Sequence, residues 1–98
     1  MLTFAFRDFG ENLGTRLLGK KVYEQLWSTL QQNDFVVLDF TDVNVVGNSF
    51  ADEAIAKLLL VMPLAELKKR TTFRGLNPLA SASVLTALQR RYIAIAMK

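Results

Sequence analysis

The side chains best suited to act on another molecule fall in three short stretches: Thr15 and Arg16; Asp42, Asn48, Ser49 and Asp52; and Asn77. Each stretch lies where a strand-like pattern gives way to a helical one. In a parallel α/β sheet such stretches meet at the carboxyl ends of the strands, where functional groups gather. Arg16 stands out because a cation in the first turn of a helix opposes the helix dipole. It either pairs with Asp39 or Asp42, or reaches an anion or an acidic partner. Ser49 reads as the N-cap of the following helix, with Asp52 three residues on to meet its free N–H groups. A hydroxyl there is also a candidate phosphorylation site. A phosphate would be held by the helix start while adding about −1.5 to −2 charges at pH 7 to a docking edge.

Other chemistries fail on residue type or spacing. The chain has no cysteine and no histidine, which removes thiolate nucleophiles, sulfur-ligated zinc and the commonest general base. Asp39, Asp42, Asp52 and Glu53 make a poor magnesium site, since Asp52 and Glu53 are adjacent on a helix and diverge by ~100°. Gly10-Glu11-Asn12-Leu13-Gly14-Thr15 bridges a strand and a helix, but it has neither the spacing nor the lysine of a phosphate-binding loop, and Glu11 would repel phosphate. No catalytic residue, metal or cofactor is therefore expected, and the protein reads as something other than an enzyme.

These residues must be positioned by a short succession of elements. Leu2, Phe4 and Phe6 alternate with Thr3 and Ala5 as in a strand, and Asp8–Gly14 reads as a loop. From Thr15 a helical stripe runs through Leu17, Leu18, Val22, Tyr23, Leu26, Trp27 and Leu30, opposite a polar face, and stops at Asn33-Asp34. Phe35–Phe40 is apolar on both parities, the pattern of a central strand buried on both faces. After a loop from Thr41 to Asn48, a helix is expected over Phe50–Met62, ended or kinked by Pro63. Leu64–Arg70 adds a helical turn and Thr71–Leu76 an edge strand. Asn77-Pro78 opens a last helix with proline in its first turn, carrying Val84, Leu85 and Leu88. Helix is favoured through Arg91. Residues 92–98 fit helix or strand.

The order β-α-β-α-β-α implies a small parallel sheet with sequential strands and right-handed crossovers. It puts the first two helices on one face and leaves the other poorly covered. Ninety-eight residues, 51% of them hydrophobic, suit a single domain spanning 1–98. Charged residues are only 21% and mean hydropathy is +0.21, which excludes a disordered chain. The opening Met1-Leu2-Thr3-Phe4-Ala5-Phe6 lacks the basic start of a signal peptide. The longest apolar run, Leu58–Met62, is far short of the ~20 residues that span a bilayer. A cytoplasmic protein with no membrane association is expected.

The formal charge of +3 and pI near 9.5 are mildly basic. The cations occur as Lys20-Lys21, Lys68-Lys69-Arg70 and Arg90-Arg91, separated groups rather than one stripe, which argues against nucleic acid. The last two groups suit helix C-termini. Along the second helix, Glu53, Lys57, Leu60 and Leu64 share a stripe by a period of roughly 3.6 residues. Ala51, Ile55, Leu58, Leu59 and Met62 form the packing stripe opposite. Leu60 is thus either core or part of an apolar patch that meets a partner or a second copy in a homodimer.

The stretch Val36-Val37-Leu38-Asp39-Phe40-Thr41-Asp42 through Asn48-Ser49-Phe50-Ala51-Asp52-Glu53 resembles STAS domains, the sulfate-transporter and anti-sigma-factor-antagonist superfamily. It is most similar to small bacterial STAS-like proteins, in which a strand ending Asp-Phe precedes a Ser-Phe-Ala-Asp-Glu helix start. The Thr15-Arg16 helix start is also similar, and the resemblance covers roughly Thr15 to Arg90. It implies a β/α fold with sequential strands. It also implies a non-enzymatic signalling module that docks on an ATPase-type serine kinase or related regulator. In anti-sigma antagonists the loop before the second helix reads Asp-Ser-Ser-Gly or Asp-Ser-Thr-Gly, and its second hydroxyl residue is phosphorylated. That position falls on Ser49, while Gly47, Asn48 and Phe50 replace the family's aspartate, first serine and glycine. The expected partner-binding residues are Arg16, Asp42, Asn48, Ser49, Asp52 and Leu60. A small ligand-binding or nucleic-acid-associated domain is the alternative.

Overall fold

A computed structural model describes residues 2–97. Strands β1 (Leu2–Ala5), β3 (Val36–Asp39) and β5 (Thr71–Arg74) form one parallel sheet in the order β1-β3-β5. The central strand is the one whose sequence is apolar on both parities. Val36, Val37 and Leu38 are all buried, and β3 has a neighbouring strand on each edge. Val36 and Leu38 join the main core. Val37 shares the opposite face with Thr3 and Thr72, both exposed. On that thinly covered face the Arg74 guanidinium donates to Asp39 at 3.2 Å and to Thr3 at 3.4 Å, a polar tie across all three strands.

Helices α1 (Arg16–Gln32), α2 (Asn48–Ala54), α3 (Leu64–Arg70) and α4 (Pro78–Ala96) complete the fold, with α2 packed between α1 and α4. The α1 start is set by Thr15, whose hydroxyl accepts from the Leu18 N–H at 3.2 Å. Asn77 does the same for α4, accepting from Ala80 at 2.8 Å ahead of Pro78. At the far end of α1, Arg70 donates to the carbonyls of Leu30, Asn33 and Asp34, so the last residue of α3 satisfies the end of α1. Among the described residues no helix is long and apolar enough to cross a membrane.

Several expectations are corrected. The two stretches read as loops each contain a two-residue strand, β2 (Asn12–Leu13) and β4 (Val45–Val46), and these pair in parallel. β1 stops at Ala5, and Phe6 sits fully buried in a 3-10 turn over Phe6–Phe9. Leu17, placed on the apolar stripe, is 82% exposed.

The helix expected over Phe50–Met62 starts at Asn48, ends at Ala54 and gives way to a 3-10 helix over Ala56–Leu60. Burial there comes from more than one side: Ala56 is enclosed along with Ala51, Ile55, Leu58, Leu59 and Met62. Packing overrides a simple helical period. The tail is helical to Ala96, so Arg90 and Arg91 lie inside α4 rather than at its end.

At Gly75 a left-handed backbone and a close approach both favour glycine. Gly75 sits at φ +78°, and a Cβ there would lie 2.5 Å from the Thr41 nitrogen. The turn after β5 therefore closes directly onto the turn after β3.

Candidate functional site

The site begins with the short β2–β4 pair. Leu13 lies two residues before the Thr15 cap of α1, and Val46 stands next to the Gly47 cap of α2. Pairing Leu13 with Val46, and Gly47 N–H with the Leu13 carbonyl at 2.8 Å, sets the two helix starts side by side. The contact is close: a Cβ on Gly47 would lie 3.0 Å from the Gly14 carbonyl oxygen.

One turn into α1, Gly19 lets α2 approach in the same way. A Cβ there would meet the Glu53 Cβ at 2.9 Å and the Phe50 carbonyl oxygen at 3.0 Å. Arg16, three residues earlier on the same face, is thereby brought against the acidic side chains of α2.

Arg16 accordingly donates to Asp52 at 2.8 Å and to Glu53 at 3.0 Å. Its partners are neither Asp39 nor Asp42. Asp39 instead accepts from the Thr41 hydroxyl and N–H and from Arg74, while Asp42 occupies a left-handed turn position at φ +66°. The carboxylates of Asp52 and Glu53 converge on one guanidinium, although their backbone positions diverge. Asp52 also takes a two-pronged contact from Arg91 of α4, at 3.1 and 2.8 Å. Glu53 takes a second cation, Lys57, at 2.8 Å, and that ammonium lies 4.9 Å from the Tyr23 ring centroid. A chain of charges thus ties α1, α2 and α4 together.

The charges reshape one another. Partial burial pushes the Asp52 carboxyl up, but hydrogen bonds from Arg16 and Arg91, with their charges, outweigh it and hold the group below the usual carboxylate range. Lys57, opposed by burial and aided by Arg16, lowers Glu53 in the same way. Asp52, the leading partner, and Glu53 raise Arg16 above the ordinary guanidinium value. Carboxylates held low stabilise the fold above their unfolded values, and that contribution is lost as pH falls through the folded ones. Chemical denaturation should therefore show stability level from neutral pH down to about pH 5 and declining below about pH 4. Asp52→Asn should flatten that decline; an unchanged acid limb would contradict the network's role.

Beside this network is a cleft of about 390 Å³ lined by Arg16, Asn48, Ser49, Asp52, Arg90 and Arg91. Four of the six residues read from the sequence as partner-binding meet here: Arg16, Asn48, Ser49 and Asp52. Asp42 and Leu60 are not part of it.

Ser49 is the second residue of α2, exposed, and not its cap; Gly47 takes that position and offers no side chain. Nor does Asp52 serve the helix start, since its oxygens are engaged by arginines. Arg90 and Arg91 were legible only as helix-end cations, because their meeting with α2 depends on how α4 packs. Gly14, Gly19 and Gly47, placed where helices begin, were the available signal of close approach.

A family model described as a STAS-like domain of unknown function (DUF4325) matches residues 19–79, more than half of the chain. The match takes in Gly19, Ser49, Asp52 and Glu53 and stops short of Arg16, Arg90 and Arg91. No curated protein and no solved structure matches.

Proposed function

The chain belongs to the STAS-like family, and on that premise we propose that it is a non-enzymatic regulatory module that docks on a protein partner. In this reading Ser49 is the position at which an ATPase-type serine kinase writes the signal, in the manner of anti-sigma-factor antagonists. The supporting observation is the setting of Ser49: an exposed hydroxyl, free of capping duty, in a cleft bordered by three arginines. A phosphoryl group added there would change the charge of a surface reached from solvent without entering the core. Leu60 and Val61, 55% and 46% exposed beyond the buried Leu58 and Leu59, offer an apolar contact for the same partner or for a second copy.

The test uses a kinase taken from a neighbouring reading frame. Incubation with ATP should place phosphate on Ser49, mapped by mass spectrometry. Ser49→Ala should fold with stability within about 0.5 kcal/mol of wild type, as expected of an exposed residue without a capping role. Ser49→Asp should fold equally well yet lose or exchange the partner, while Leu60→Glu should stay folded and weaken docking. Equal partner affinity for wild type and Ser49→Asp, with both folded, would sink the switch.

A further inference from the structure

We propose that the cleft between α2 and α4 is a receptor for a phosphoryl group, whose oxygens take guanidinium contacts that the Asp52 carboxylate holds at rest. Its volume of about 390 Å³ is within the range of small-molecule sites, roughly 300–1,000 Å³. Arg16, Arg90 and Arg91 border it with one carboxylate among them, Asp52.

Asp52 is already shared between Arg16 and Arg91, and Glu53, the second partner of Arg16, is shared with Lys57. Arg90 has no ion pair among the described residues. The cleft therefore carries more positive charge than its own carboxylates answer. Guanidinium forks match phosphate oxygens in pairs, which an ammonium does not. Ser49 and Asn48 supply neutral polar groups at the same wall, and the small side chains of Ala87 and Ala94 leave the space open.

A dianion entering here would exchange one shared carboxylate for several oxygens and give Arg90 a partner. The inference concerns the arginines and does not require Ser49 to be modified. Two sources carry this chemistry: a free phosphomonoester, and a phosphoryl group on Ser49 itself.

The experiment is an NMR titration of the whole chain with inorganic phosphate, with chloride at equal ionic strength as reference. Saturable shifts are expected at Ser49 and at the Nε–H groups of Arg16, Arg90 and Arg91. Arg90 is exposed, so Arg90→Gln should fold normally and bind phosphate about five-fold more weakly, the worth of one exposed charged contact. Asp52→Asn should bind more tightly, because the competing carboxylate is gone; if that variant proves unfolded, Arg90→Gln alone decides.

A response that does not saturate, or equal affinity in wild type and Arg90→Gln, overturns the receptor. Repeating the titration with Ser49 phosphorylated separates the sources: lost uptake assigns the cleft to the Ser49 phosphoryl, and undiminished uptake assigns it to a free ligand. Failure of Ser49→Asp to exchange its partner would remove the switch and leave this titration untouched.

Discussion

Phe6→Ala is expected to destabilise the protein by about 3–5 kcal/mol, the usual cost of removing a fully enclosed aromatic ring. Phe6 is inaccessible to solvent. Its ring stacks on Phe40 with centroids 4.0 Å apart and planes 11° apart, and it meets Phe4 and Phe50 edge-on at 5.0 and 6.4 Å. It therefore joins the end of β1, the end of β3 and the start of α2. Truncation leaves a cavity lined by rings from three elements, which cannot collapse together without moving α2. A domain of this size is stable by only about 5–15 kcal/mol, so the variant should be close to its folding limit. Thermal unfolding should show it plainly, since each kcal/mol moves Tm by about 4–8 °C for 60–100 residues. Leu17→Ala is the matched control: Leu17 is 82% exposed, and its loss should change stability by no more than about 0.5 kcal/mol. A small effect at Phe6, or a large one at Leu17, would contradict this core.

The contrast between Phe6 and Leu17 shows where sequence reading reaches its limit. Both residues fit an apolar period, yet one is enclosed and the other open. The central strand was legible because Val36, Val37 and Leu38 are apolar on both parities, a signal carried by the segment itself. The starts of α1 and α4 were legible for the same reason, since Thr15 and Asn77 bind N–H groups only three residues away. The strand order followed from these elements and the handedness of crossovers.

What stayed hidden depends on residues far apart in the chain. β2 and β4 have two residues each and exist only because they pair with one another. Asp52 meets Arg91 across thirty-nine positions, and no local pattern announces that contact. Serine favours helix caps, so the local sequence points to Ser49. Gly47, held against the Leu13 carbonyl, starts the helix earlier. The candidate site was therefore legible as a set of residues on one edge, but its wiring was not.

That wiring leads to the second large effect: Asp52→Ala should cost about 2 kcal/mol, between the worth of an exposed ion pair and that of a buried one. Asp52 is 26% exposed and Arg91 23%, so neither limit applies. Removing the carboxylate leaves Arg91 half-enclosed without its two-pronged partner and cuts the tie from α4 to α2. Beyond Arg91 the helix continues through Tyr92, Ile93 and Ile95 to Ala96, all exposed. Among the described residues the Asp52–Arg91 pair is therefore the last ion pair along α4. Amide hydrogen exchange from Ile93 to Ala96 should accelerate in Asp52→Ala more than exchange within β3, which the core protects independently. Arg91→Met should reproduce the acceleration, and a double-mutant cycle between the two positions should return a coupling of about 1–2 kcal/mol. Arg16→Met should not loosen α4, because Arg16 binds Asp52 from α1 and makes its other contact with Glu53. If exchange at the end of α4 is unaffected in Asp52→Ala, or is equally affected in Arg16→Met, the anchor lies elsewhere.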